Sequence, residues 1–128
     1  MLAFGQLLLD NYFWTIQYQN MKTNQTLSTG ELIRQLREQE ELPLRKVAAQ
    51  LDIDTSFLSK IERNERRATK EQIIKLTEIF KVDKKYLLVP YLSEIVYYQI
   101  SEEDCANEVL KVAEEKVSYQ KTQTKKKK

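Results

Sequence analysis

The sequence predicts an all-α protein, and three observations carry that expectation. Gly and Pro are nearly absent, two of each in 128 residues, so few positions interrupt a helix. Apolar residues return at three- and four-residue spacing in five short windows between Leu27 and Leu88, the period of one helix face. Residues with capping chemistry stand between those windows. The length allows one small domain with appendages.

The elements follow in order. Ser28 and Glu31 are spaced as a capping box, with Leu27 and Leu32 as its hydrophobic staple. Helix one should run to about Glu40 with Leu32, Ile33 and Leu36 inward. Leu42 and Pro43 lead into helix two, where a first-turn Pro loses no hydrogen bond. Val47, Ala48 and Leu51 are the apolar stripe of helix two; Phe57, Leu58 and Ile61 are that of helix three. Between them lies Asp52-Ile53-Asp54: a polar break, a buried anchor, and an acidic N-cap whose carboxylate accepts from the next turn. Asn64 to Arg67 form a loop, and Thr69 caps helix four with Gln72 three residues on. Ile73, Leu76, Ile79 and Phe80 supply its buried stripe. Asp83 starts a short fifth helix contributing Leu87 and Leu88, which Val89-Pro90 should end because the residue before Pro avoids helical geometry.

Residues 90–119 read as a helical extension. Residues 91–100 fit a helix, although their β-branched and Tyr content leaves a strand open. Ser101-Glu102-Glu103-Asp104 signals a helix start, with its acids favourable to the dipole. Ala106, Val109, Leu110, Ala113 and Val117 then form one stripe. Tyr91, Tyr97, Tyr98 and Tyr119 add surface of the kind enriched at interfaces. The extension is read as a dimerisation element, the alternative being a cap on its own core. The Lys-rich tail 120–128 is expected to be disordered, either adding non-specific DNA affinity by counterion release or acting as a solubilising end.

Residues 1–20 are rich in Leu and aromatics and contain no cation. They lack the basic start and cleavage site of a secretory signal, and their polar breaks are too frequent for a membrane span. Two readings stand for the arm 1–26: a segment packing on the domain or a partner, or translated sequence upstream of a bacterial-type start at Met21. The second is favoured, because a free arm of this composition is an aggregation liability.

The formal charge of +2 conceals an asymmetry. Residues 29–88 hold thirteen Lys/Arg against eleven Asp/Glu, residues 89–120 two against seven, and residues 121–128 five lysines and no acid. Lys60, Arg63, Arg66, Arg67 and Lys70 crowd one eleven-residue stretch with only Glu62 and Glu65 as anions, which is the local patch that phosphate contact requires. Without the surrounding pattern, a solvated helix face would explain it equally. The outward face of helix three shows Thr55, Ser56, Ser59, Lys60 and Arg63, and such a helix fits the major groove, where hydroxyls and cations read base edges.

The stretch 42–67 resembles the lambda-repressor-like, XRE-type helix-turn-helix domain. The resemblance is carried by Ala48, Ile53, Leu58, Ser59 and the run Ile61-Glu62-Arg63-Asn64, and extends over roughly residues 27–88. Asp52 stands where the family usually has Gly, and Leu44 where it commonly has a DNA-contacting Gln. The resemblance implies a five-helix DNA-binding domain over 27–89. Thr55, Ser56 and Lys60 match positions that reach base edges, with Ser59 close enough to touch a base or phosphate. Arg45, Lys46, Arg63, Arg66, Arg67 and Lys70 are assigned to the phosphate backbone, fixing register without reading sequence. Arg37 and Glu62 stand where the family places a partly buried ion pair; the alternative is that both are exposed.

The function expected from this is a cytoplasmic transcriptional regulator, by default a repressor, binding double-stranded DNA as a homodimer on a two-fold operator. Restriction–modification controllers, phage-type repressors and antitoxins all fall within the class. The alternative is a protein-interaction module or antitoxin using 90–119 to hold a partner. An enzyme is not expected: there is no His, no nucleophile elbow, no phosphate-binding Gly loop and no metal-ligand spacing. No cofactor, metal or small-molecule ligand is called for, and no membrane. Cys105, the single cysteine, reads as a small apolar filler on a helix rather than a sensor thiol.

Overall fold

The computed structural model describes residues 27–126, as two compact units meeting between Glu94 and Ile95. The expected arm at 1–26 and the last two lysines lie outside the described residues. All six elements are helices: α1 (Thr29–Gln39), α2 (Leu44–Leu51), α3 (Thr55–Glu62), α4 (Lys70–Phe80), α5 (Lys84–Ile100) and α6 (Ala106–Lys126).

In the first unit, α3 packs against α1 and α2, while α4 packs against α1 and α2. The stripes anticipated for the first three helices meet in one core: Ile33, Val47 and Leu58 are fully buried beside Leu36, Ala48, Leu51 and Ile61. Ile73, Leu76 and Phe80 close it from α4, and Leu87 from α5. Ile79 is half-buried. Both capping boxes form: Ser28 Oγ accepts from Glu31 N and Thr69 Oγ1 from Gln72 N, each reciprocated by the Glu or Gln carboxyl or amide oxygen.

Several expectations change. Asp54 is the N-cap of α3, but its carboxylate accepts no capping bond there. Phe57 is half-buried, leaving Leu58 and Ile61 to anchor the helix. Most consequentially, Pro90 does not end the fifth helix: α5 continues to Ile100. A proline there forfeits one backbone hydrogen bond and crowds the preceding turn. Contacts on both sides of it, one face of the helix, supply the compensation. Leu87 is fully buried, the Tyr91 hydroxyl donates to Ala68 O at 2.8 Å, and Glu94 Oε1 accepts from Thr29 N at 2.6 Å. The positions i, i+4 and i+7 fix a helical pitch, which also decides against a strand. Tyr91, expected at an interface, is therefore a core residue, and the first unit extends beyond 89.

In the second unit, Ser101 to Cys105 form a turn rather than the first turn of a helix, and α6 begins at Ala106. Cys105 sits exposed in that turn, not on a helix. The segment expected to be disordered from 120 continues α6 to Lys126. Extending an existing helix costs little where Lys and Gln predominate, and cations suit a helix C-terminus. Thr122 and Thr124 hydroxyls also donate to carbonyls one turn back.

Four helices end alike. After α1, α2, α3 and α4 the chain enters the left-handed region at Glu41, Asp52, Asn64 and Lys81 (φ of 55–63°). In each case the next residue's N–H reaches a carbonyl five residues back: Leu42 to Arg37, Ile53 to Ala48, Glu65 to Lys60, Val82 to Thr77. This is the Schellman pattern, normally made with Gly. Here no glycine occupies it. Replacing the exposed Lys81 by Gly should raise stability by about 1 kcal/mol, the side-chain penalty of that conformation, read as a higher denaturant midpoint with unchanged slope.

The glycine that the fold does demand is Gly30. A Cβ there would collide with the Ile61 carbonyl oxygen and lie 2.6 Å from Asn64 Oδ1 and 2.9 Å from the Glu62 carbonyl oxygen. Two of these are backbone atoms, so relief requires moving α1 off α3. Gly30→Ala should cost about 1–3 kcal/mol in chemical denaturation, against the usual gain from Gly to Ala in a helix.

Candidate nucleic-acid interface

The site is built on α3, and three contacts to α1 set how α3 is held. Gly30 admits the last turn of α3 to the N-terminus of α1. Asn64 Nδ2 donates to Ser28 Oγ at 2.6 Å, so the residue ending α3 is tied to the residue capping α1. Arg37 closes the other side as a two-pronged fork, Nε to Glu62 Oε2 at 2.8 Å and Nη2 to Glu62 Oε1 at 3.1 Å. Its remaining Nη1 donates to Leu42 O at 2.9 Å, bracing the turn between α1 and α2. Glu62 is 4% exposed and Arg37 13%. The Glu62 hydrogen bond holds the guanidinium even further above its ordinary range, against the opposing effect of burial. Charge-assisted forks of this kind are among the stronger polar contacts, and neither charge is tolerated alone at that burial.

With Leu58, Ile61 and Glu62 facing inward, the opposite face of α3 is offered to solvent. Thr55, Ser56 and Lys60 are exposed there, and Ser59 is half-buried beside them. The two hydroxyl residues open the helix and Lys60 stands more than a turn further on. The six cations assigned to phosphate are all exposed. Arg45 and Lys46 are in the first turn of α2, Lys70 is the first residue of α4, and Arg63, Arg66 and Arg67 lie in the loop between α3 and α4.

Arg63 and Arg66 have local partners that the sequence did not disclose. Arg63 Nη1 lies 3.4 Å from Glu65 Oε1, an exposed pair of small energetic weight. The Arg66 guanidinium lies 5.8 Å from the centre of the Phe57 ring. A cation over an aromatic face is attracted to the ring's negative face, so half-buried Phe57 is the surface that places Arg66 beside the first turn of α3. A helical period assigns Phe57 to the core; only the fold of the following loop shows its second role. The sequence also gave no sign of Gly30 or of the Ser28–Asn64 bond.

Turn geometry completes the motif. Asp52 adopts the left-handed conformation for which Gly is usual (φ 58°), and Ile53 N–H returns to Ala48 O at 3.0 Å. The turn thus closes without glycine, and α2 and α3 pack directly on each other. Residues 30–92 match the family model of the helix-turn-helix domain. The chain carries a helix-turn-helix domain. The match runs from α1 into α5 and past Pro90, as the buried Leu87 and Tyr91 require. No curated protein matches the chain. Among the described residues no cluster of His, Cys, Asp or Glu could hold a metal ion, and no helix is long and apolar enough to cross a membrane.

The clamp in the helix-turn-helix domain is directly measurable. Arg37→Ala should destabilise by about 3 kcal/mol, because it strands the buried Glu62 carboxylate. The double variant Arg37→Ala, Glu62→Ala should lose clearly less than the sum of the two singles. A double-mutant cycle by urea denaturation gives the coupling, and strictly additive losses would deny the pair any energetic role.

Proposed function

We propose that this chain is a sequence-specific transcriptional regulator of the XRE type that binds double-stranded DNA as a homodimer. The observation that carries the reading is the exposed face of α3, with Thr55, Ser56 and Lys60 turned outward above the buried Arg37–Glu62 clamp. An eight-residue helix is about 12 Å long, comparable to the width of the major groove. Thr55, Ser56, Ser59 and Lys60 then read base edges, Lys60 by donating to guanine O6 and N7. Arg45, Lys46, Arg63, Arg66, Arg67 and Lys70 neutralise phosphates and set register. Two copies with recognition helices about 34 Å apart enter successive grooves, which makes the operator two-fold. Occluding polymerase at such a site gives repression.

Selection of random duplex DNA on the full chain tests this. Enrichment of a two-fold motif with half-sites about one helical turn apart is the expected result. Purely salt-sensitive binding without a motif would discard it in favour of a protein-interaction module. On the selected site, Lys60→Ala should cost about 1–3 kcal/mol and relax preference at one base position. Lys70→Ala should weaken all duplexes alike and lower the salt slope by about one. Anisotropy titrations over a salt series separate the two effects.

A further inference from the structure

The stripe that the sequence places on α6 is not covered in the structure. Ala106, Val109, Leu110, Ala113 and Val117 fall within an arc of about 100° at the helical period, and Val109, Leu110 and Val117 are 39%, 46% and 54% exposed. The charge on the same helix is divided end from end. Its first half, 106–115, carries Glu108, Glu114 and Glu115 against Lys111; its second half, 116–126, carries Lys116, Lys121, Lys125 and Lys126 and no acid. Glu102, Glu103 and Asp104 extend the acidic end into the preceding turn. An apolar stripe bounded by opposite charges at its two ends is complementary to itself when reversed.

We propose that α6 is the self-association surface of this protein, pairing antiparallel with α6 of a second copy. The inference rests on the homodimer reading above and assigns it a surface and a direction. Reversal lays the acidic half of each helix along the basic half of the other and opposes the two helix dipoles. Glu114 and Lys121 lie seven residues apart on the same flank of the stripe, and in an antiparallel pair like flanks face each other. A two-fold axis beside Val117 and Ser118 therefore sets Glu114 of each copy opposite Lys121 of the other, twice. Parallel pairing instead lays acid along acid and lysine along lysine, and flanking charges of this kind set orientation in paired helices.

Cys105, the single cysteine of the chain, heads α6 and is exposed, so the native protein accepts one spin label at a diagnostic place. In the antiparallel pair the two Cys105 residues stand at opposite ends, about 37 Å apart by helical rise; in a parallel pair they are neighbours. Sedimentation equilibrium of the full chain should show a reversible dimer, and spin-label distance measurement should give one separation near that value. Glu114→Lys and Lys121→Glu should each weaken association about tenfold, and the double exchange should restore it. A label separation under about 20 Å would replace the antiparallel pair with a parallel one. A dimer indifferent to all three variants would move the interface off α6 while leaving the homodimer reading intact. A monomer at all concentrations would overturn the pairing, and a monomer that also selects single half-sites would overturn the homodimer reading itself.

Discussion

The presentation of α3 depends on how its C-terminal end is seated on α1. Three contacts converge there: a glycine thin enough to pass the Ile61 carbonyl, an amide–hydroxyl bond between Asn64 and Ser28, and the Arg37–Glu62 fork. The apolar core holds the helices together, but apolar contact is non-directional and does not fix rotation of a helix about its axis. The fork does. Two parallel hydrogen bonds from a planar group to a buried carboxylate leave little angular freedom, so the side of α3 opposite Glu62 is presented in one orientation. The same guanidinium bonds the Leu42 carbonyl, so one side chain ties α1, α3 and the approach to α2.

Much of this was legible beforehand, for identifiable reasons. Val47, Leu58 and Ile73 are buried because local period and burial agree in short amphipathic helices. Both capping boxes formed because their partners lie only three residues apart. Arg37 and Glu62, twenty-five residues apart, were paired only through family resemblance; nothing in their spacing joins them. What escaped was long-range. Pro90 reads as a stop in sequence, and the helix passes it because Leu87, Tyr91 and Glu94 are held from elsewhere in the first unit. Gly30 reads as an ordinary helix-weakening residue until the α3 backbone appears above it. Phe57 obeys its apolar period only halfway, since the loop returning through Arg66 meets its other side.

The acidic and basic ends of α6 show the converse, a pattern visible in the sequence whose meaning the fold of one chain does not supply. Acids near a helix start and lysines near its end stabilise any single helix, so the division of charge has a local benefit. The exposed apolar stripe has none. Its exposure in water is the part that asks for a second surface.

The four left-handed turns have a consequence for how this domain assembles. At Glu41 and Lys81 the residue itself does not favour the conformation it occupies, whereas Asp52 and Asn64 are of the kind that tolerate it. The helix boundaries at Glu41 and Lys81 are stated by the returning N–H groups and by half-buried Leu42 and Val82 that follow, rather than by the preference of the residue at the turn. Excised from the domain, α1 or α4 would have no reason to stop where it does. Chain reversal and docking must therefore arrive together at the ends of α1 and α4. Cooperativity, here, is written into the places where glycine is missing.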